Sequence, residues 1–140
     1  MSKNWVMGDV GAGVTIAAAV DAKAVAGDVT HVGTAAGGLY GYLVTERGTA
    51  DGPNAVGIAD GQASVRLIPT EAVVELTVAG SPTLGAKVYS SVGSSAVEYT
   101  TVGAAAKYHV GHVVTIPGRT AASGKAFVYL GSATGAVGGI

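Results

Sequence analysis

EAVVELTV, residues 71–78, is the stretch that decides the fold. The apolar residues Val74, Leu76 and Val78 recur at every second position, with polar residues between them. A period of two is typical of a strand that has one face in an apolar core and the other turned away from it. The stretch therefore predicts a β-strand over 72–78, and we expect that strand to be central.

Short apolar segments rich in β-branched residues extend from this stretch in both directions, separated by turns rich in glycine. No segment offers three helical turns of apolar periodicity, so the sequence predicts an all-β domain. We expect a small compact β-barrel or a β-tulip or sandwich-like domain with an extended N-terminal arm. The predicted strands are 13–19, 28–32, 39–45, 54–59, 63–68, 72–78, 87–90, 96–100, 109–116 and 125–130.

The composition limits the classes of function. The chain has 140 residues, of which 23 are glycine and only 12% are charged, and its formal net charge is −1. Since no cluster of basic residues is visible, the sequence gives no reason to expect a nucleic-acid partner. There is no cysteine, so disulfides, thiolate metal sites and thiol nucleophiles are excluded.

The length corresponds to one domain. We expect an N-terminal arm or edge strand over residues 1–20, a single β domain over 21–131 and a flexible C-terminal tail over 132–140. The apolar run 10–20 resembles a signal peptide, but it is rich in Ala and Gly and follows Asp9. Because it is also too short to cross a bilayer, we interpret it as part of the folded protein and expect no membrane partner.

One segment has the ingredients of a phosphate-binding loop: GRTAASGKA, residues 118–126. A nucleotide-binding P-loop needs four residues between its first glycine and the Gly-Lys pair, followed by Ser or Thr and then a helix. Here five residues separate Gly118 from Gly124, Ala126 follows Lys125, and the next residues have the pattern of a strand. The segment therefore predicts a hairpin loop and no nucleotide binding.

Two histidines, His109 and His112, form an H-x-x-H pair that could hold a metal ion on a helix. Their surroundings predict a strand, on which residues three apart face opposite sides. We therefore expect the two imidazoles to diverge and predict no metal site, since zinc needs three or four converging ligands. No serine stands in a nucleophile motif, and we expect neither an enzyme nor a cofactor.

Tyrosine is the most frequent aromatic residue, with six positions. Tyr40 and Tyr42 would lie on the same face of one strand. Such a pair could form a contact surface for a sugar or a protein. The alternative is that both tyrosines fill the edge of a core that is short of Phe and Leu.

The N-terminal cluster Trp5-Val6-Met7 contains the only tryptophan of the chain. If it were exposed, it would be an apolar patch that binds a partner, and tryptophan is a frequent interface hot spot. The alternative is that Trp5 covers the domain's own core.

Several motifs are rich in glycine and valine: Gly27-Asp28-Val29, Asn54–Ala59, Gly85–Tyr89, His109–Val113 and Ala126–Leu130. They resemble motifs of the small capsid decoration, or cement, proteins of tailed bacteriophages. The similarity spans about residues 8–131, while residues 3–7 do not correspond to the family pattern.

The resemblance implies a structural protein of the virion that binds the outer surface of the capsid. Its partner would be the major capsid protein, and it would form a homo-oligomer, a trimer in preference to a dimer. The alternative is a receptor-binding or carbohydrate-binding β module that uses the tyrosines.

Overall fold

The structure is a computed structural model that describes residues 4–8, 13–33, 39–80, 82–104 and 107–135. Within these ranges the chain is built from β-strands and one short 3₁₀ helix, which confirms the all-β prediction. The elements are β1 (Trp5–Met7), β2 (Thr15–Ala19), β3 (Val29–His31), β4 (Tyr40–Leu43), β5 (Gln62–Leu67), β6 (Val73–Ala79), β7 (Lys87–Val92), β8 (Val97–Thr100), β9 (Tyr108–Val114), β10 (Lys125–Tyr129) and the 3₁₀ helix Leu130–Ser132.

Five strands form a closed ring in the order β6, β10, β9, β7, β8. The pairs from β6 round to β8 are antiparallel, and a parallel pairing of β8 with β6 closes the ring. One edge of β6 is shared, because β1 pairs with its first residues and β8 with its last two. Closure supplies hydrogen-bonding partners for strands that would otherwise be edges.

The strand predicted over residues 72–78 is β6. It is the strand of the ring that pairs with three others, β1, β8 and β10. Val74, Leu76 and Val78 are buried in the core, while Glu75 is half-buried and Thr77 is exposed. The predicted alternation is therefore confirmed. It places the apolar face of β6 inside the barrel.

The second sheet has the strand order β2, β5, β4, β3. Its two outer strands approach each other where the Gly33 amide donates to the Ala19 carbonyl (2.7 Å), so the sheet is strongly curled. Both faces contribute to one core, with Leu43 and Val65 on one side and Tyr42 on the other. The barrel and the curled sheet therefore pack as a single domain.

One predicted strand is wrong. Residues 54–59 form the outer part of a long loop between β4 and β5 and pair with no other strand among the described residues. Gly57 has a positive φ of 80°, and the Ile58 amide donates to the Ala55 carbonyl within a tight turn. The local glycine geometry outweighs the strand preference of the valine and isoleucine.

The structure describes part of each chain end. The segment predicted as an arm or edge strand contains two edge strands, β1 on β6 and β2 on β5. The predicted flexible tail does not begin at residue 132: Ala133 is buried and the Gly135 amide donates to the His109 carbonyl (2.8 Å). Residues 136–140 lie outside the described residues.

Candidate functional site

The N-terminal cluster predicted to bind a partner is mostly engaged with the protein itself. The Trp5 ring meets the edge of the Tyr42 ring at 4.8 Å and packs against the core, while its indole N–H donates to the Gly8 carbonyl (2.8 Å). Val6 is half-buried, and Met7 is 50% exposed. Of the two alternatives for Trp5, the structure places it on the core, and only Met7 presents a large apolar surface.

The two tyrosines predicted to form a contact surface are both buried. They share one face of β4 as expected, but this face packs against the barrel side of the molecule: Tyr42 contacts Trp5, and Tyr40 lies 5.3 Å from the Tyr108 ring. Burial, together with Tyr108, raises the pKa of Tyr40 to about 12. The contact-surface hypothesis is therefore corrected, because neither ring is available to stack on a ligand.

The two histidines converge, so the prediction that they diverge is wrong. The rings of His109 and His112 lie 4.8 Å apart, edge to face. The cause is a β-bulge in β9: Val88 pairs with Gly111 and Tyr89 pairs with His109, which leaves Val110 without a partner of its own. The extra residue shifts the alternation, so both imidazoles lie on the outer face of the barrel.

A signal for this bulge was present in the sequence. Val110 and Val113 are both apolar and three residues apart, which a regular strand cannot place on one face, and Gly111 stands between them. In the structure both valines belong to the core. An apolar spacing of three with an internal glycine therefore indicates a bulge, and the histidine spacing follows from it.

The C-terminal segment covers the histidine pair. The Thr134 hydroxyl hydrogen-bonds His109 Nδ1 (2.9 Å), and the Ser132 hydroxyl hydrogen-bonds His112 Nδ1 (2.6 Å). His109 is only 4% exposed, and its Nε2 has no hydrogen-bond partner within the described ranges of the chain. Burial, with the neighbouring His112 and Lys87, lowers the pKa of His109. The surroundings of His109 therefore favour its neutral form.

The loop that resembles a phosphate site folds back onto the barrel. The Ala122 amide donates to the Glu75 carboxylate (2.8 Å), and the Arg119 guanidinium lies 5.8 Å from the centre of the Phe127 ring. The Ala122 amide, which could otherwise donate to a bound anion, therefore already donates to a carboxylate of the protein. Lys125 begins a strand, β10, as the sequence predicted, so the segment is a connection between β9 and β10.

A cleft with a volume of about 760 Å³ opens beside β6. Acidic and basic side chains line it, among them Asp28, Glu75, Glu98, Lys107 and Lys125. The Tyr99 hydroxyl in its wall donates to Asp28 (2.8 Å) and accepts from the Val29 amide (2.9 Å).

Burial and the Asp28 carboxylate raise the pKa of Tyr99. These bonds join β8 of the barrel to β3 of the curled sheet. Asp28 and Tyr99 therefore have a structural role in holding the two sheets together.

The residues described by the structure contain no group of three or more His, Cys, Asp or Glu side chains that could hold a metal ion. They also contain no helix that is long and apolar enough to span a membrane. No protein-family model, curated protein or solved structure matches the chain.

Proposed function

We propose that the protein is a capsid decoration protein that binds the outer surface of a phage head and stabilises the shell. The observation that carries the proposal is the position of the motifs that resemble this family. Three of them, within 85–89, 109–113 and 126–130, lie on β7, β9 and β10, which are consecutive neighbours in the closed ring. The motifs that resemble the family therefore lie on adjacent strands of the closed ring, which forms the main body of the fold.

The physical character of the domain suits a structural role. The ring is closed by hydrogen bonds between strands distant in sequence, and the surface chemistry is sparse, with 12% charged residues in the chain. A decoration protein acts by adhesion of many copies, in which individually weak contacts act together. Such a role requires a stable body and exposed contact surfaces, and it requires no catalytic group.

The partner in this proposal is the major capsid protein, and the site of action is the outer surface of the virion. The protein would act as a homo-oligomer, a trimer in preference to a dimer. Because Trp5 covers its own core, the shell contact that we propose for β1 is reduced to Met7 and the half-buried Val6.

The alternative function, a receptor-binding or carbohydrate-binding module, was suggested by an exposed pair of tyrosines, and the structure has no such pair at Tyr40 and Tyr42. Tyr40 and Tyr42 were to provide the stacking surface, and both are buried. A glycan would have to bind elsewhere on the molecule. We therefore retain decoration as the proposed function.

Sedimentation tests the proposal. The purified protein is mixed with expanded, undecorated shells of the matching phage, and bound and free protein are separated in a gradient. We expect saturable co-sedimentation that unrelated shells do not support. If the protein stays at the top of the gradient at all ratios but is retained by an immobilised glycan, the alternative function replaces decoration.

A further inference from the structure

The loop between β4 and β5 carries an apolar tip formed by Ala55, Val56 and Ile58, of which Ala55 and Val56 are exposed and Ile58 is half-buried. The Val56 side chain is fully exposed, and no atom lies near the position where a Cβ on Gly57 would stand. An exposed apolar tip is a feature that a partner surface can cover.

The loop is nevertheless held in shape by its own hydrogen bonds. The Asn54 side chain accepts from the Thr49 amide (2.9 Å) and donates to the Thr49 carbonyl (3.0 Å). At the base, Gly48 and Asp60 form a β-bridge. A tip presented in a fixed conformation loses little conformational entropy when it binds.

A groove with apolar side chains in its wall lies on the outside of the barrel. It has a volume of about 320 Å³ and lies between the turn that precedes β7 and the strands β9 and β10. Leu84, which is 69% exposed, forms one wall, and Pro82, Val113 and Phe127 also line the groove. The Gly85 amide donates to the Val113 carbonyl (2.8 Å), which holds this turn against β9.

The charges at the two surfaces are also complementary. Asp51 and Asp60 are exposed on the two sides of the tip in sequence, whereas Arg119 and Lys125 lie at the groove. The carboxylates of Asp51 and Asp60 form no ion pair within the part of the chain that the structure describes. An apolar centre with oppositely charged rims is the usual composition of a specific interface.

We propose that the apolar tip of one copy of this chain inserts into the barrel groove of a second copy. The tip lies on the curled sheet and the groove lies on the barrel, so each copy uses two different surfaces. Such a head-to-tail contact produces a closed ring when the rotation between copies closes, and a chain of copies when it does not. The proposal is independent of shell binding.

Two variants test the contact because each removes one half of it. Val56→Asp places a charge on the tip, and Leu84→Glu places one on the groove wall. Both side chains are exposed, so both variants should fold, which circular dichroism verifies. We expect the parent to self-associate in sedimentation velocity over a concentration series, and each variant to associate at least about tenfold more weakly.

Mixing the two variants gives the decisive result. The Val56→Asp copy keeps an intact groove and the Leu84→Glu copy keeps an intact tip, so the mixture should form a heterodimer at concentrations where each variant alone is monomeric. Val102→Asp, which changes a 61% exposed valine elsewhere, is the matched control and should associate like the parent. A parent that is monomeric throughout the series, variants that associate normally, or a mixture that stays monomeric would each overturn the proposal.

Discussion

Single residues stabilise this fold in two ways: by burying an apolar side chain, or by supplying a hydrogen-bond partner to a buried polar group. Leu76 is buried at the centre of β6, next to the exposed Thr77 on the opposite face. On the neighbouring strand β8, the Tyr99 hydroxyl accepts from the Val29 amide and donates to the Asp28 carboxylate. At this scale a substitution acts through the group that it leaves buried without a partner.

We expect Leu76→Asp to unfold the domain. An unpaired carboxylate in an apolar core costs several kcal/mol, which is comparable with the whole stability of a domain of this size. Thr77→Asp, one residue along the same strand, should melt close to the parent because its side chain faces outward. Thermal unfolding followed by circular dichroism compares the two; equal melting temperatures would show that the assigned face of β6 is wrong.

The stability should fall in mild acid because of His109. Its pKa in the folded protein is below the ordinary value of 6.5, so the unfolded chain takes up a proton more readily. The stabilising contribution is therefore complete above pH 6.5 and is lost as the pH falls towards the folded pKa. The groups around the ring, Lys87, Tyr89 and His112, provide no carboxylate to offset the new charge.

Denaturant titrations between about pH 7.5 and about pH 5 measure this effect. The parent should lose stability over the range, and His109→Gln, which cannot be protonated, should lose less. A variant with the same pH dependence as the parent would show that other groups cause the loss.

At the level of the elements, β1 is an integral part of the folded domain. It pairs with β6 and places Trp5 on Tyr42. The sequence left two alternatives for Trp5, docking on a partner or covering the core. It could not separate them, because the pattern of a three-residue strand does not reveal which larger sheet it joins.

Trp5→Ala should destabilise the protein by about 2–3 kcal/mol, somewhat less than the loss of a fully buried tryptophan. Met7→Ala, on the same strand but half exposed, should change the stability by less than about 1 kcal/mol. Chemical denaturation of both variants makes the comparison. If both variants lost equally little stability, Trp5 would not be part of the core and would again be a candidate for binding a partner.

The close approach of β9 to β10 requires a glycine at position 111. A Cβ at this position would overlap the backbone carbonyl oxygen of Tyr129 and crowd a methyl group of Val128. Gly111→Ala should therefore cost about 2 kcal/mol or more. Gly93→Ala is the control, because its new Cβ would meet only the Glu98 carboxylate, a side chain that can move. Identical melting of the two variants would contradict the assigned packing.

A period of two predicted the regular strands of this protein from the sequence, whereas the same rule missed the irregular features. The period of two around Leu76 identified β6, and glycine-rich turns marked most strand ends. The same rule misplaced His109 and His112, because one unpaired residue in β9 reverses the alternation after it. The strand expected at 54–59 failed for a related reason: its apolar residues lie on a loop shaped by Gly57 and by the Asn54 side chain.

On the scale of the whole molecule, two sheets with different curvature share one core. The barrel is closed through a parallel pairing between β6 and β8, and the curled sheet is joined to it by the Tyr99 hydrogen bonds. The local sequence pattern of a strand does not specify these pairings, because they depend on how the whole chain folds. The sequence motifs identified the class of architecture, and the arrangement of the two sheets required the structure.

The most direct measurement for the proposed function is electron cryomicroscopy of expanded, undecorated shells of the matching phage after incubation with the purified protein. The account predicts additional density on the outer surface at positions repeated by the symmetry of the shell, each with the shape of a two-sheet β domain. Shells incubated with the Leu76→Asp variant should lack this density. An unchanged outer surface at saturating concentrations of folded protein would contradict the proposal that the chain decorates a capsid.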